Sequence, residues 1–411
     1  MIRNLKIRSL PTPMIWIPIA GSIFYLFMYL SSWWTLKIQG IGSRDNYGDL
    51  KSVVVAAGCY RDIGERIFSV GGECSYGYGR TLLNLINFSH LAQINIAIVG
   101  ASAMVALLAC FLYLIFIASP KSFTSQIQIF LMSISPCFWI LFKSGNFDWL
   151  VFILIFLGVL TLRTRLEILG VILIGISGPL KFYSLPLLLL IPFIMKNRLS
   201  RLASIVAFIA LLPMTLANIS LIKTFPNPVF AAFGSPALGL WANIFSRQFN
   251  LGFKLSDFNA HILGLIIFVS TVSLVLCSNH LRSRHGLLLH SRDYSKVESL
   301  YIVFSGTYLI CYLVGMNYDY RLIFLVASLI LCSRVNPKLF SNRLFQIIAQ
   351  SSLWLTFFYF GIPGAINALA VLGNIAQGLM AVIIAYQIIN YLDLFHPLSL
   401  LKNLTKVHAN S

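Results

Sequence analysis

Residues 300–332 read LYIVFSGTYLICYLVGMNYDYRLIFLVASLILC, an apolar run interrupted by Asn317-Tyr-Asp-Tyr-Arg321. The run is too long for one crossing of a hydrocarbon core of roughly 30 Å. A single tilted helix would leave Asp319 and Arg321 near mid-membrane, where each ion costs about 2.5–3.5 kcal/mol even on insertion scales. Two helices meeting at a polar tip on the membrane surface remove that cost. Residues 126–162, broken by Lys143-Ser-Gly-Asn-Phe-Asp148, and residues 166–195, broken by Gly178-Pro-Leu-Lys181, read the same way.

Outward from these hairpins the chain stays apolar. Over 411 residues it is 58% hydrophobic and 10% charged, against roughly 25% charged in ordinary soluble domains. Further segments long enough to span recur at residues 14–33, 94–117, 205–222, 263–277 and 368–390. The expected fold is an all-α polytopic membrane protein of about 12 membrane-embedded helices, forming one integral membrane domain over residues 1–411. Residues 35–91 form the one sizeable polar loop, within which residues 53–59 fit a short amphipathic helix. A second loop, residues 223–259, mixes Pro226, Pro228 and Pro236 with Trp241 and other aromatics, a composition suited to the headgroup level.

The net charge of +18 reports topology and gives no reason to expect a nucleic-acid partner. Eighteen of the 30 Lys and Arg residues, among them Arg3, Arg163, Arg198, Arg284, Lys338 and Lys402, fall in short loops at alternate segment ends. By the positive-inside rule these loops and both termini are cytoplasmic, and the polar interruptions lie outside. The expected location is the bacterial inner (plasma) membrane. The basic start and apolar run of residues 1–30 resemble a signal peptide, but no small-residue cleavage site follows, so the run is expected to remain as a first helix. Of seven cysteines, Cys59 and Cys74 fall in the outer loop, where an oxidising compartment would allow a disulfide. The other five lie in predicted helices. No metal-ligand spacing occurs; a divalent ion is compatible with the site but not indicated.

The outer interruptions carry the candidate chemistry. Asp45 and Asp49, in Ser43-Arg-Asp-Asn-Tyr-Gly-Asp-Leu-Lys51, could act as a general base toward a hydroxyl, or simply be the charged residues of a surface turn. Lys181 and Arg321 precede helices expected to run inward, so the positive dipole ends face two cations. An anion such as phosphate would relieve this. The plainer alternative pairs Arg321 with Asp319 and lets Lys181 snorkel to headgroups. Asp148 and Asp319, each two residues after an Asn, also suit helix capping. Tyr78 and nearby aromatics could stack on sugars or belong to an interfacial belt.

In order and topology these motifs resemble the C-type fold of glycosyltransferases that use lipid-phosphate sugars, with the family 87 mannosyltransferase-like group as the nearest match. The resemblance rests on Asp49-Leu-Lys, Tyr76-Gly-Tyr-Gly79, Ser144-Gly-Asn-Phe-Asp-Trp-Leu150, Lys181-Phe-Tyr-Ser-Leu-Pro186 and Asn317-Tyr-Asp-Tyr-Arg-Leu322. It runs from about Asp45 to Cys332. Family members often carry Tyr-Pro-Pro where this chain has Tyr78-Gly79-Arg80. The resemblance implies a polyprenyl-phosphate sugar donor and a lipid or glycan acceptor at the extracytoplasmic face. It also implies a first-loop carboxylate as base, Asp49 or the competing Asp45; Lys181, Arg321, Asp148, Asp319 and Tyr78 are the candidate substrate- or phosphate-binding groups beside it. The rival activities are a transporter or flippase of lipid-linked sugars, which would show repeats, and a polysaccharide polymerase.

Overall fold

The computed structural model of the protein describes residues 48–69, 74, 79–90, 94–120, 122–162, 164–221, 232–234, 246, 252, 254–282, 294–314, 317–355 and 365–392. Helices dominate: α1 (Gly48–Ile63), α2 (Arg80–Phe88), α3 (Ile96–Ala118), α4 (Phe123–Ser133), α5 (Pro136–Ser144), α6 (Asp148–Thr161), α7 (Glu167–Leu180) and α8 (Leu187–Leu190) come first. They are followed by α9 (Arg198–Leu221), α10 (Asp257–Arg282), α11 (Lys296–Val314), α12 (Ile323–Val335), α13 (Pro337–Phe340), α14 (Arg343–Trp354) and α15 (Ala365–Leu392). Among the described residues, five stretches are long and apolar enough to cross a membrane, Ile96–Ala118, Arg198–Asn218, Asn259–Leu276, Lys296–Val314 and Val371–Leu392, as an integral membrane protein requires. Four more apolar helices are shorter.

The polar interruptions are where helices end. Residues 300–332 divide into α11 and α12, with a 3-10 turn at Asp319–Leu322 between them. Residues 126–162 divide into α4, α5 and α6, and α7 stops at Leu180. Side chains close several of the exposed helix starts: Asn95 accepts from the Ala97 amide, and Asn342 from those of Leu344 and Phe345. Helices α6 and α7 meet at two glycines. A Cβ on Gly170 would lie 2.7 Å from the Gly158 carbonyl oxygen, so larger residues would force the pair apart.

Beneath the helix ends lies a file of rings. Phe152 of α6 stacks on Phe111 of α3 at 4.9 Å and on Phe304 of α11 at 4.8 Å, and Phe324 of α12 extends it at 5.7 Å. Tyr183 closes the file edge-on to Phe324 at 5.8 Å. Such geometries add modest specific energy to a large buried area.

The first polar loop is itself folded where it is described. Helix α1 starts earlier and runs longer than the short amphipathic stretch expected there, burying Leu50, Val53, Ala56 and Ala57 on one face. Asp49 in its first turn and Arg61 in its last suit the helix dipole. Leu82, Leu83 and Ile86 of α2 are buried as well, and α2 packs on α1. A disulfide joins Cys59 to Cys74. We call this unit the lobe. Gly79 rests directly on Asn218 of α9, whose Cβ and Cγ lie 2.5 Å from where a Cβ would stand. In the second loop, Ala232–Phe233 pairs antiparallel with Asn317–Tyr318, a short ladder in an otherwise helical chain.

Candidate functional site

The site is built on the connection between α5 and α6. Gly145, at φ 63°, ends α5 in the left-handed conformation, its amide donating to the Leu141 carbonyl at 3.0 Å. That turn presents Asn146, whose amide donates to Ser144 Oγ at 3.3 Å. Asn146 Oδ1 then accepts from the backbone N–H of Asp148, the first residue of α6, at 3.2 Å. Both Asn146 and Asp148 are fully buried.

Asp148 is the hub. Its carboxylate faces Lys181 Nζ at 3.5 Å and Arg321 Nε at 3.1 Å, and accepts from Tyr183 Oη at 2.6 Å. The Arg321 guanidinium also lies 4.9 Å from the centre of the Tyr183 ring, within cation–π range. Three elements therefore converge: the start of α6, the end of α7 with the 3-10 turn Phe182–Ser184, and the turn Asp319–Leu322. Tyr183 and Arg321 stand 35 and 173 residues from Asp148 in sequence.

A second link reaches the lobe. Asn146 Nδ2 donates to Asp49 Oδ2 at 2.8 Å, and Asn146 Oδ1 accepts from Lys181 Nζ at 3.2 Å. Asp49, Asn146, Lys181, Asp148, Arg321 and Tyr183 thus form one connected polar network, in which two carboxylates formally balance two cations. A buried ion pair is weak evidence for stability, but one left without its partner is strongly unfavourable.

Two expectations about the cations change. Lys181 directly follows the fourteen-residue helix α7 and donates its amide to the Ser177 carbonyl, so it sits at a negative dipole end, which favours it. The element after it is only a three-residue 3-10 turn. Lys181 is also 3% exposed and does not snorkel. Arg321 does precede α12, and it meets an anion far away in sequence, Asp148.

Of the other candidates, Asp45 and Tyr78 lie outside the described residues. Asp319 is placed by its backbone in the turn before Arg321. Cys59 and Cys74 bridge the lobe. Among the described residues no three His, Cys, Asp or Glu are grouped to hold a metal ion. Sequence reasoning did not single out Asn146 or Tyr183. Their only signals were the Asn two positions before Asp148, where capping is read from Asp148 itself, and the Tyr in Lys181-Phe-Tyr-Ser.

No family model, curated protein or solved structure matches the chain. The fold and site define a helical membrane protein with a buried ion cluster beneath a disulfide-bonded lobe.

Proposed function

We propose that the protein is a membrane glycosyltransferase of about twelve helices. In this reading both termini are cytoplasmic and the site faces outward from a bacterial inner membrane. It moves a hexose, with mannose among the candidates, from a polyprenyl-phosphate carrier to a hydroxyl of a lipid or glycan acceptor. The observation that carries this reading is the tether from Asp49 through Asn146 to Lys181, Asp148 and Arg321. It brings a partly buried carboxylate on the lobe beside a paired set of cations.

Asp49 takes the acceptor's hydroxyl proton as that oxygen attacks the anomeric carbon. The bond from that carbon to the phosphate oxygen breaks, and polyprenyl phosphate leaves with the electron pair. Arg321, 11% exposed in its side chain, is the cation open to the leaving phosphate. Lys181, almost wholly buried, contributes through its field and holds Asn146. Groups set in place before charge develops avoid the cost of reorganisation. Asp148 is sequestered between its partners, and its role is to hold the two cations.

The test is transfer of labelled hexose from polyprenyl phosphate in membranes holding matched amounts of wild type and Asp49→Asn. Loss of the base is expected to lower the rate by roughly 10²–10⁴-fold. Near-normal transfer would remove Asp49 from the chemistry. A second reading, translocation of an intact lipid-linked sugar, draws on the break in helix at Lys181 beside a buried ion cluster. Product analysis separates the two: a transferase releases polyprenyl phosphate, and a translocator leaves the donor whole.

A further inference from the structure

We infer that Asn146 is the positioning residue that sets both the direction and the charge state of the Asp49 carboxylate; the inference rests on the glycosyltransferase reading above. The amide can be oriented in only one way. On one side it meets Lys181 Nζ and the Asp148 N–H, each at 3.2 Å. Both are donors, so Oδ1 must face them. Nδ2 is thereby turned toward Asp49, at 2.8 Å from Oδ2. A flipped amide would set its own N–H bonds against two donors and its oxygen against a carboxylate.

Asp49 therefore always meets a donor at Oδ2, which favours the ionised form that a base requires. The charged groups around it come from several elements. Asp148 opens α6, Lys181 follows α7, and Arg321 stands in the turn before α12. On the lobe, Glu65 and Arg80 pair with each other, and Lys51 and Arg61 share α1 with Asp49. Lys181 and Asp49 contact opposite ends of the one amide, so the state of the cation is transmitted to the carboxylate through Asn146.

Asn146→Asp discriminates this role from simple capping. Aspartate caps a helix as well as asparagine does, and a carboxylate is a better partner for Lys181. A capping role therefore predicts at most a loss of abundance from the added buried charge, with the pH profile unshifted. A positioning role predicts the opposite, because the new carboxylate's second oxygen would face Asp49 where a donor stood. Two carboxylates that close share a proton, and the pair's upper pKa rises.

The experiment is the pH profile of hexose transfer from polyprenyl phosphate, with abundance-matched wild type, Asn146→Asp, Asn146→Ser and Asp49→Asn in membranes. Asn146→Asp is expected to lose activity on acidification at a pH higher than wild type by at least about one unit, and to regain it at alkaline pH. Asn146→Ser keeps a capping oxygen but not the reach to Asp49. It should lower kcat by roughly tenfold, the size of a lost hydrogen bond to a charged group, with donor KM unchanged. An unshifted profile in Asn146→Asp, with Asp49→Asn inactive, overturns the inference and leaves the transferase reading standing. Full transfer by Asp49→Asn, or intact donor with wild type, overturns both. If Asn146→Asp fails to accumulate, Asn146→Ser decides alone, and wild-type turnover by it overturns the inference.

Discussion

The protein holds ion pairs in two settings, and the same chemistry does different things in each. On the lobe, Arg80 meets Glu65 with side chains 47% and 57% exposed. Water solvates both ions whether or not they touch, so the contact does little beyond local order. At the bundle, Lys181 and Asp148 meet at 3% and 0% exposure. Both side chains are buried, so each ion depends chiefly on its protein partners for solvation. The lobe compensates with covalent chemistry, a disulfide closing a loop of 15 residues. The bundle relies on a closed set of charges. The contrast teaches that an ion pair's importance follows from what would solvate each ion if the partner were taken away.

The sharpest way to break the comparison is Asp148→Ala. It removes the carboxylate that meets the buried Lys181 and the partly exposed Arg321 and should cost about 3–5 kcal/mol. Thermal melting in detergent and abundance in membranes would measure this, and near-wild-type stability would show that water or lipid phosphate already solvates the cations. Next comes the disulfide. Cys59→Ser should destabilise the lobe by about 3 kcal/mol, the value for a loop of that size. Limited proteolysis should then cut near Arg61 and Arg66 while the bundle melts unchanged; a shifted bundle melt would mean the two regions unfold together.

A smaller loss is expected for Gly79→Val. The new side chain collides with Asn218, and overpacking of this kind costs about 1–3 kcal/mol. The variant should be more labile to protease in the lobe, and an unaltered digestion pattern would show that α2 can shift aside freely. The smallest effect belongs to Glu65→Gln. It should change stability by no more than about 1 kcal/mol, and added salt should erase the difference. A salt-insensitive loss of several kcal/mol would place Glu65 in the same category as Asp148.

Much of the site was legible in the sequence because each ion interrupts an apolar run. Asp148, Lys181 and Arg321 stood out for that reason, and Asp49 through its place in the first polar loop. Their pairing was not legible. Asp148 and Arg321 are 173 residues apart, and no local pattern points from one to the other. Asn146 stayed hidden because it carries no charge to mark it within the interruption, and capping was read from the neighbouring Asp148. The electrostatics of Lys181 depended on which adjoining helix was longer, and the break after Leu180 left a regular helix only before it. The helical class followed from hydropathy, whereas helices such as α6, α7 and α12 are too short for length alone to count crossings.

Asn218 of α9 donates one amide hydrogen bond to Thr81 of the lobe at 2.7 Å and another to the carbonyl of Pro179, in the last turn before Lys181, at 3.2 Å. Together with the bridge from Asp49 to Asn146, it fastens the lobe to the bundle at two separated points. A body pinned at one point can swivel, and a body pinned at two keeps its heading. Both pins also end beside the same lysine, one at its ammonium and one two residues back along its chain. Any force that lifts the lobe is therefore felt at Lys181 from both sides.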